Sequence, residues 1–165
     1  MNMIYKLSDL NRKNFKALEF YQSDQAHSNK IDNIPKEQAT LENLDLLADK
    51  MQDVRNILNQ PVIITSGYRS LDLNRLLNGS SLNSYHLYGL AADFIVKDHS
   101  PLEICKLLKN KINIDKLIAS YRWNPKTKKY IKWTHLQINF DENKNRNYIL
   151  HERFQGSIKK FLKIF

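Results

Sequence analysis

Two histidines and one aspartate have side chains whose chemistry could be combined: His86, Asp93 and His135. Neutral imidazole nitrogen and carboxylate oxygen are ligands of catalytic zinc, which takes three protein donors and leaves a fourth position to water. His86 falls in a loop with Gly89, which lets the backbone turn tightly, and Asp93 follows in an apolar segment. If that segment is a strand, Ala91, Asp93 and Ile95 share one face while Ala92, Phe94 and Val96 share the other, core-facing one. A second segment repeats the pattern. Thr134, Leu136, Ile138 and Phe140 point toward a core, and Trp133, His135, Gln137 and Asn139 point away from it. Each strand thus offers one candidate ligand on its non-core face.

Spacing alone leaves other readings open. A histidine near a strand can be a surface or internally satisfied residue, and Asp93 can cap a turn or pair with Arg69. Ser66 and Ser84 invite comparison with serine hydrolases, but neither lies in a nucleophile-elbow pattern. His27, His99 and His151 have polar, loop-like or helical surroundings and read as surface residues.

The elements that must position these groups follow from periodicity. Residues 1–40 form a polar lead-in with short helical turns, carrying Phe15, Phe20 and Tyr21 and ending at Asn33-Ile34-Pro35. Leu41, Leu44, Leu47, Met51, Val54 and Leu58 make one helical stripe, with Thr40 as N-cap. The β-branched run 61–65 reads as a buried strand, 66–70 as a turn, and 71–78 as a short helix ended by Asn78-Gly79. After the polar loop 79–85 comes the strand 90–96, then a helix opened by Ser100-Pro101 and running to about Asn110. Strands 116–122 and 133–140 are joined by a lysine-rich turn, and residues 147–163 read as helical, interrupted near Gly156. The order predicts an α+β fold, with a mostly antiparallel sheet packed by the 41–58 helix. One domain is expected over 1–165: the lead-in 1–40, a core 41–140 with the metal site, and a C-terminal helical region 141–165.

Bulk properties narrow the function classes. A chain of 165 residues with 42% hydrophobic and 26% charged residues has the balance of a globular protein, not a disordered one. No apolar run approaches the roughly 20 residues that span a bilayer, so no membrane insertion is expected. The polar start, Met1 to Phe15, lacks the apolar stretch of a secretory signal. The expectation is a protein made in the cytoplasm. The single cysteine, Cys105, excludes an internal disulfide and reads as a buried apolar group. The formal net charge of +9 favours anionic partners. Its densest cluster, Lys126, Lys128, Lys129 and Lys132, reads as a solvated hairpin tip with no nucleic-acid motif beside it, so no nucleic-acid partner is expected.

Several stretches together resemble a known family. Ile64-Thr65-Ser66-Gly67-Tyr68-Arg69-Ser70, then Asn74, then Ser84-Tyr85-His86-Leu87-Tyr88-Gly89-Leu90-Ala91-Ala92-Asp93, then Trp133-Thr134-His135, are similar to the D-alanyl-D-alanine carboxypeptidase-like zinc peptidases. The lead-in, with Asn14-Phe15, Glu19-Phe20 and Asp32-Asn33-Ile34-Pro35, resembles the small phage-associated branch. The resemblance implies the Hedgehog/DD-peptidase fold with a zinc site on the open sheet face. It implies Zn2+ held by His86, Asp93 and His135, and hydrolysis of peptidoglycan stem peptides of the carboxypeptidase or endolysin type. Arg69 and Ser84 would hold a substrate carboxylate or carbonyl, with Trp133 and Gln137 lining the cleft. Arg69 could instead serve only to fix its turn through a salt bridge. The protein would be a monomer, acting on the cell wall after release or carried in a phage particle.

The resemblance breaks at one place. Such peptidases need a carboxylate to take a proton from the attacking water and give it to the leaving amine. In the family it sits three positions before the last histidine ligand or on the preceding strand of the late hairpin. Here those positions hold Lys132 and Ser120, and neither can act as a base at neutral pH. Losing a general base typically slows catalysis by about 10²–10⁴-fold. Asp98, Glu103 and Asp115 are the acids considered as substitutes. The alternative is a metal-bearing pseudoenzyme that binds cell-wall peptide or serves as a structural phage or prophage component.

Overall fold

The computed structural model describes residues 4–77, 81–155 and 158–163. Its elements are α1 (Asp24–Ser28), α2 (Gln38–Leu58), β1 (Val62–Ser66), α3 (Leu71–Leu76), β2 (Ala91–Val96), α4 (Pro101–Leu108), β3 (Lys116–Asn124), β4 (Lys129–Gln137), β5 (Tyr148–Gln155) and β6 (Ile158–Lys163). Short 3-10 turns link them, among them Ala17–Phe20 in the lead-in and Tyr85–Tyr88 before β2. The fold is α+β. Its sheet runs β1-β2-β4-β3-β5-β6 and is antiparallel throughout except where β5 lies parallel to β3.

One sheet face is closed by helices. Leu41, Leu44, Leu47, Met51 and Val54 of the stripe read from the sequence are buried on α2 together with Ala48, and Leu58, at its end, is half-buried. Leu44, Leu47, Ala48, Met51 and Val54 join Phe94 and Val96 of β2, Leu117 and Ala119 of β3, and Leu136 of β4 in one core, with Ile104, Cys105 and Leu108 of α4. Each fully buried side chain of Leu or Met size contributes about 1.5–3 kcal/mol, so this face holds the sheet to α2. The helix starts two residues before the expected cap, with Glu37 as N-cap, and Thr40 lies inside it. α4 begins as predicted, with Ser100 and Glu103 forming a reciprocal capping box and Pro101 at the first position.

The lead-in is tied down at both ends. Arg12 forms salt bridges with Asp45 (2.6 Å) and Asp49 (2.5 Å) of α2. The buried Asn33 donates to the carbonyls of Tyr21 (2.6 Å) and Tyr68 (3.1 Å) and accepts from the Ser70 amide (2.6 Å). Its carboxamide therefore staples residues 68–70, the turn carrying Arg69, to the start of the chain.

Two sequence expectations need correction. Residues 148–155 and 158–163 are strands, not a helix, so the C-terminal region extends the sheet. The hydrophobic spacing there is compatible with either state, and the pairing that decides it, β5 alongside β3, is non-local. Phe140, expected in the core, is 57% exposed because β4 ends at Gln137 and the strand alternation stops with it. The expected helix stop at Asn78-Gly79 and the interruption at Gly156 lie outside the described residues.

Candidate metal centre

β2 and β4 are neighbours, and Asp93 and His135 are direct cross-strand partners. Their side chains meet on the face away from the helices, with His135 Nδ1 2.8 Å from Asp93 Oδ1. His86 arrives from the 3-10 turn Tyr85–Tyr88, which ends at Gly89 in the left-handed conformation (φ 73°). A side chain at Gly89 would be strained and would press on Leu44 of α2, so the turn that aims His86 depends on glycine. Among the described residues, His86, Asp93 and His135 form the one group whose donor atoms suit a metal ion, all within 4.8 Å of one another.

The hydrogen bonds around the triad favour a cation. The Gly67 carbonyl can only accept, so His86 Nδ1, 2.7 Å away, carries the proton and donates. Burial pushes His86 toward its neutral form, only partly opposed by Asp93, which leaves a lone pair on Nε2. Nε2 stands 3.5 Å from Asp93 Oδ2. Burial works against ionisation of Asp93, but its interactions with the imidazoles of His86 and His135 outweigh it and hold the carboxyl well below its ordinary range. A lone pair and a carboxylate oxygen thus face each other without a proton between them, and a divalent cation satisfies both. A backbone carbonyl behind a histidine ligand is also the usual outer support of a metal-binding imidazole.

Gly67 is the end of that support. A Cβ there would overlap the Phe20 carbonyl oxygen, because the lead-in crosses β1 at this point and Tyr68 N donates to Phe20 O (2.7 Å). Only glycine lets the two backbones approach so closely.

The triad opens into a cleft of about 620 Å³, a volume suited to a small-molecule or peptide segment. Arg69, Ser84, Trp133 and Gln137, all expected near the site, line it. Arg69 Nη2 bonds Asp93 Oδ2 (2.7 Å) and its Nε bonds Ser66 Oγ (2.9 Å), so the guanidinium braces the acidic ligand. Gln137 Nε2 donates to Asp115 Oδ2 (2.6 Å), and Trp133 stacks on Phe154 with ring centroids 5.9 Å apart. Arg122, which sequence reasoning passed over, lies 4.5 Å over the Phe154 ring and joins Arg69 and Lys116 in the lining.

The acids considered as replacement bases are occupied elsewhere. Asp115 is buried in a two-pronged pair with Arg146 (2.6 and 2.7 Å), and Glu103 caps α4. Asp98 follows β2 in the left-handed conformation (φ 62°) and is not in the cleft lining. Lys132 is exposed. Ser120 is fully buried, and its hydroxyl donates to Glu152 Oε2 (2.9 Å). Glu152 belongs to β5, lines the cleft and is 3% exposed. A helix over 147–163, the state expected from the sequence, gives position 152 no place on the sheet. Alternation of Leu150, Glu152 and Phe154 in a strand would have placed it on the ligand-bearing side.

A comparison with protein families returns Peptidase M15, matched over residues 13–136, well over half of the chain. A search of curated proteins finds no match.

Proposed function

The chain belongs to the Peptidase M15 family, and from that premise we propose that it is a zinc-dependent peptidase acting on the stem peptides of peptidoglycan, of carboxypeptidase or endolysin type. The observation that carries this reading is the convergence of His86, Asp93 and His135 at a cleft lined by Arg69, Lys116 and Arg122. Zinc, when bound by these three side chains, would polarise the scissile carbonyl and lower the pKa of water.

The chain's own residues supply the rest. Arg69 fixes Asp93 in its ligand orientation, and Gly67 fixes the His86 tautomer. Three cationic side chains in the lining favour a substrate rich in carboxylates, in keeping with the net charge of +9. A guanidinium suits such a group because it can offer two parallel hydrogen bonds. Ser84, Trp133 and Gln137 complete the wall against which the peptide lies. Action at the cell wall, after release or from a phage particle, is part of the same proposal, as is a monomeric state. No helix among the described residues is long and apolar enough to cross a membrane.

The test is digestion of purified peptidoglycan by the zinc-loaded protein, with the fragments analysed for new amino termini. Cleavage that a chelator stops supports the reading. Binding without any new termini, at full metal occupancy, would instead identify a pseudoenzyme.

A further inference from the structure

We propose that Glu152, delivered by the parallel strand β5, is the general base of this site and takes the place of the acid missing at Ser120 and Lys132. The inference rests on the hydrolytic reading above and adds a catalytic residue to it.

Register carries the argument. His135 on β4 pairs with Ile118 on β3, which pairs with Leu150 on β5. Two residues along, Trp133 pairs with Ser120, and Ser120 with Glu152. Side chains two apart on a strand share a face, so His135, Ser120 and Glu152 stand on the same side of the sheet. The lining agrees: Ile118 and Arg122 of β3, His135 and Gln137 of β4, and Leu150 and Glu152 of β5 all contribute. Ser120 lies between β4 and β5, fully buried beneath this layer.

Side-chain length then explains the exchange. An acid at position 120 would carry its carboxyl group near where the Ser120 Oγ now sits or one bond farther out. Glu152 Oε2 is 2.9 Å from that Oγ and accepts its hydrogen bond. A short residue on β3 makes room, and a long acid from the next strand brings a carboxylate to the vacated place. Ser120 positions that carboxylate as a donor and takes no proton itself. The shielded setting, 3% exposed, strengthens the electrostatic interactions of the carboxylate compared with open water.

The step balances without a further reactant. The water oxygen bonds to the carbonyl carbon as one of its protons passes to Glu152. The C–N bond then breaks as Glu152 returns that proton to the leaving nitrogen. The second water proton is lost to solvent from the new carboxyl group.

The test compares wild type, E152Q, S120A and the exchanged double variant S120E/E152S, all zinc-loaded. Three readouts are metal stoichiometry, peptidoglycan cleavage and affinity for acetohydroxamate, added as its neutral acid, which gives up a proton to a neighbouring base as it binds zinc as the anion. Expected for E152Q are unchanged zinc content, a loss of about 10²–10⁴-fold in cleavage rate, and at least tenfold weaker acetohydroxamate binding. S120A keeps the acid but loses the donor that positions it, and is expected to cleave more slowly than wild type and faster than E152Q; the double variant regains cleavage over E152Q. Wild-type rate and wild-type acetohydroxamate affinity in a fully loaded E152Q would overturn the assignment while leaving the peptidase reading intact. If wild type cleaves no peptidoglycan, that reading falls, and acetohydroxamate affinity still decides whether Glu152 serves the metal site.

Discussion

His86 Nδ1 donates a 2.7 Å hydrogen bond to the carbonyl oxygen of Gly67, and that bond joins the metal site to the backbone crossing between β1 and the lead-in. The glycine is needed because the Phe20 carbonyl occupies the place of a side chain. G67A is therefore expected to push the two backbones apart and swing the carbonyl away from His86. Loss of such outer support typically weakens metal binding by about 10–100-fold. Zinc affinity measured against a competing chelator checks this, together with the urea midpoint. Unchanged affinity would show that the carbonyl does not orient the ligand.

H86A removes one of three donors and is expected to abolish stoichiometric zinc binding. The remaining pair, Asp93 and His135, keeps its hydrogen bond, so the fold is expected to survive. Metal content by atomic absorption and the far-ultraviolet circular dichroism spectrum separate the two effects. One zinc per chain in this variant would remove His86 from the ligand set.

Asn33 lies far from the triad in sequence yet holds Tyr21, Tyr68 and Ser70 through three hydrogen bonds. N33A leaves those backbone groups without their partner. A buried polar group left unsatisfied costs about 1–3 kcal/mol. The variant is expected to unfold at lower urea concentration by an amount in that range. A loss under about 0.5 kcal/mol, the scale of ordinary surface substitutions, would show that the lead-in is not needed to hold the Arg69 turn.

Acid stability follows from Asp115. Burial opposes its ionisation, but the Arg146 guanidinium, by hydrogen bond and charge, holds its carboxyl below the ordinary value of 3.8. A carboxyl lowered on folding stabilises the native state at pH values above its unfolded pKa. That contribution is lost as pH falls through the lower, folded value. R146M is expected to reduce stability at neutral pH by about 2 kcal/mol, the scale of a hydrogen bond to a charged group. The deficit is expected to shrink below about pH 4, where the unfolded carboxyl takes up its proton. Urea titrations of both proteins from pH 7 to pH 3 measure this, and a pH-independent deficit would contradict it.

The placing of Asp93 and His135 on one open face was legible because their strands obey simple alternation, whereas their grouping with His86 as a metal set came from the family resemblance. Phe94 and Val96 mark the core side of β2, and Leu136 marks it on β4, so Asp93 and His135 must face the other way. The α2 stripe and the Ser100-Pro101 start were equally local signals. Position 152 was not legible. Leu150, Glu152 and Phe154 acquire a common face only once β5 is seated parallel to β3, a contact about 30 residues apart in sequence. Arg69 could be read from the sequence as a cleft residue or as a brace. The structure shows it lining the cleft and bonded to Asp93.

The pairing of Asp93 with His135 on adjacent strands has a consequence for how the protein would acquire its ion. Two donors already stand opposite each other as part of the hydrogen-bonded ladder, so their conformational entropy is surrendered when the sheet forms, not when the ion arrives. Loading is then a capture event in a finished scaffold, unlike zinc fingers, whose apo chains are unfolded. A chelated sample should keep its native shape, and re-adding the ion should restore occupancy without a refolding phase.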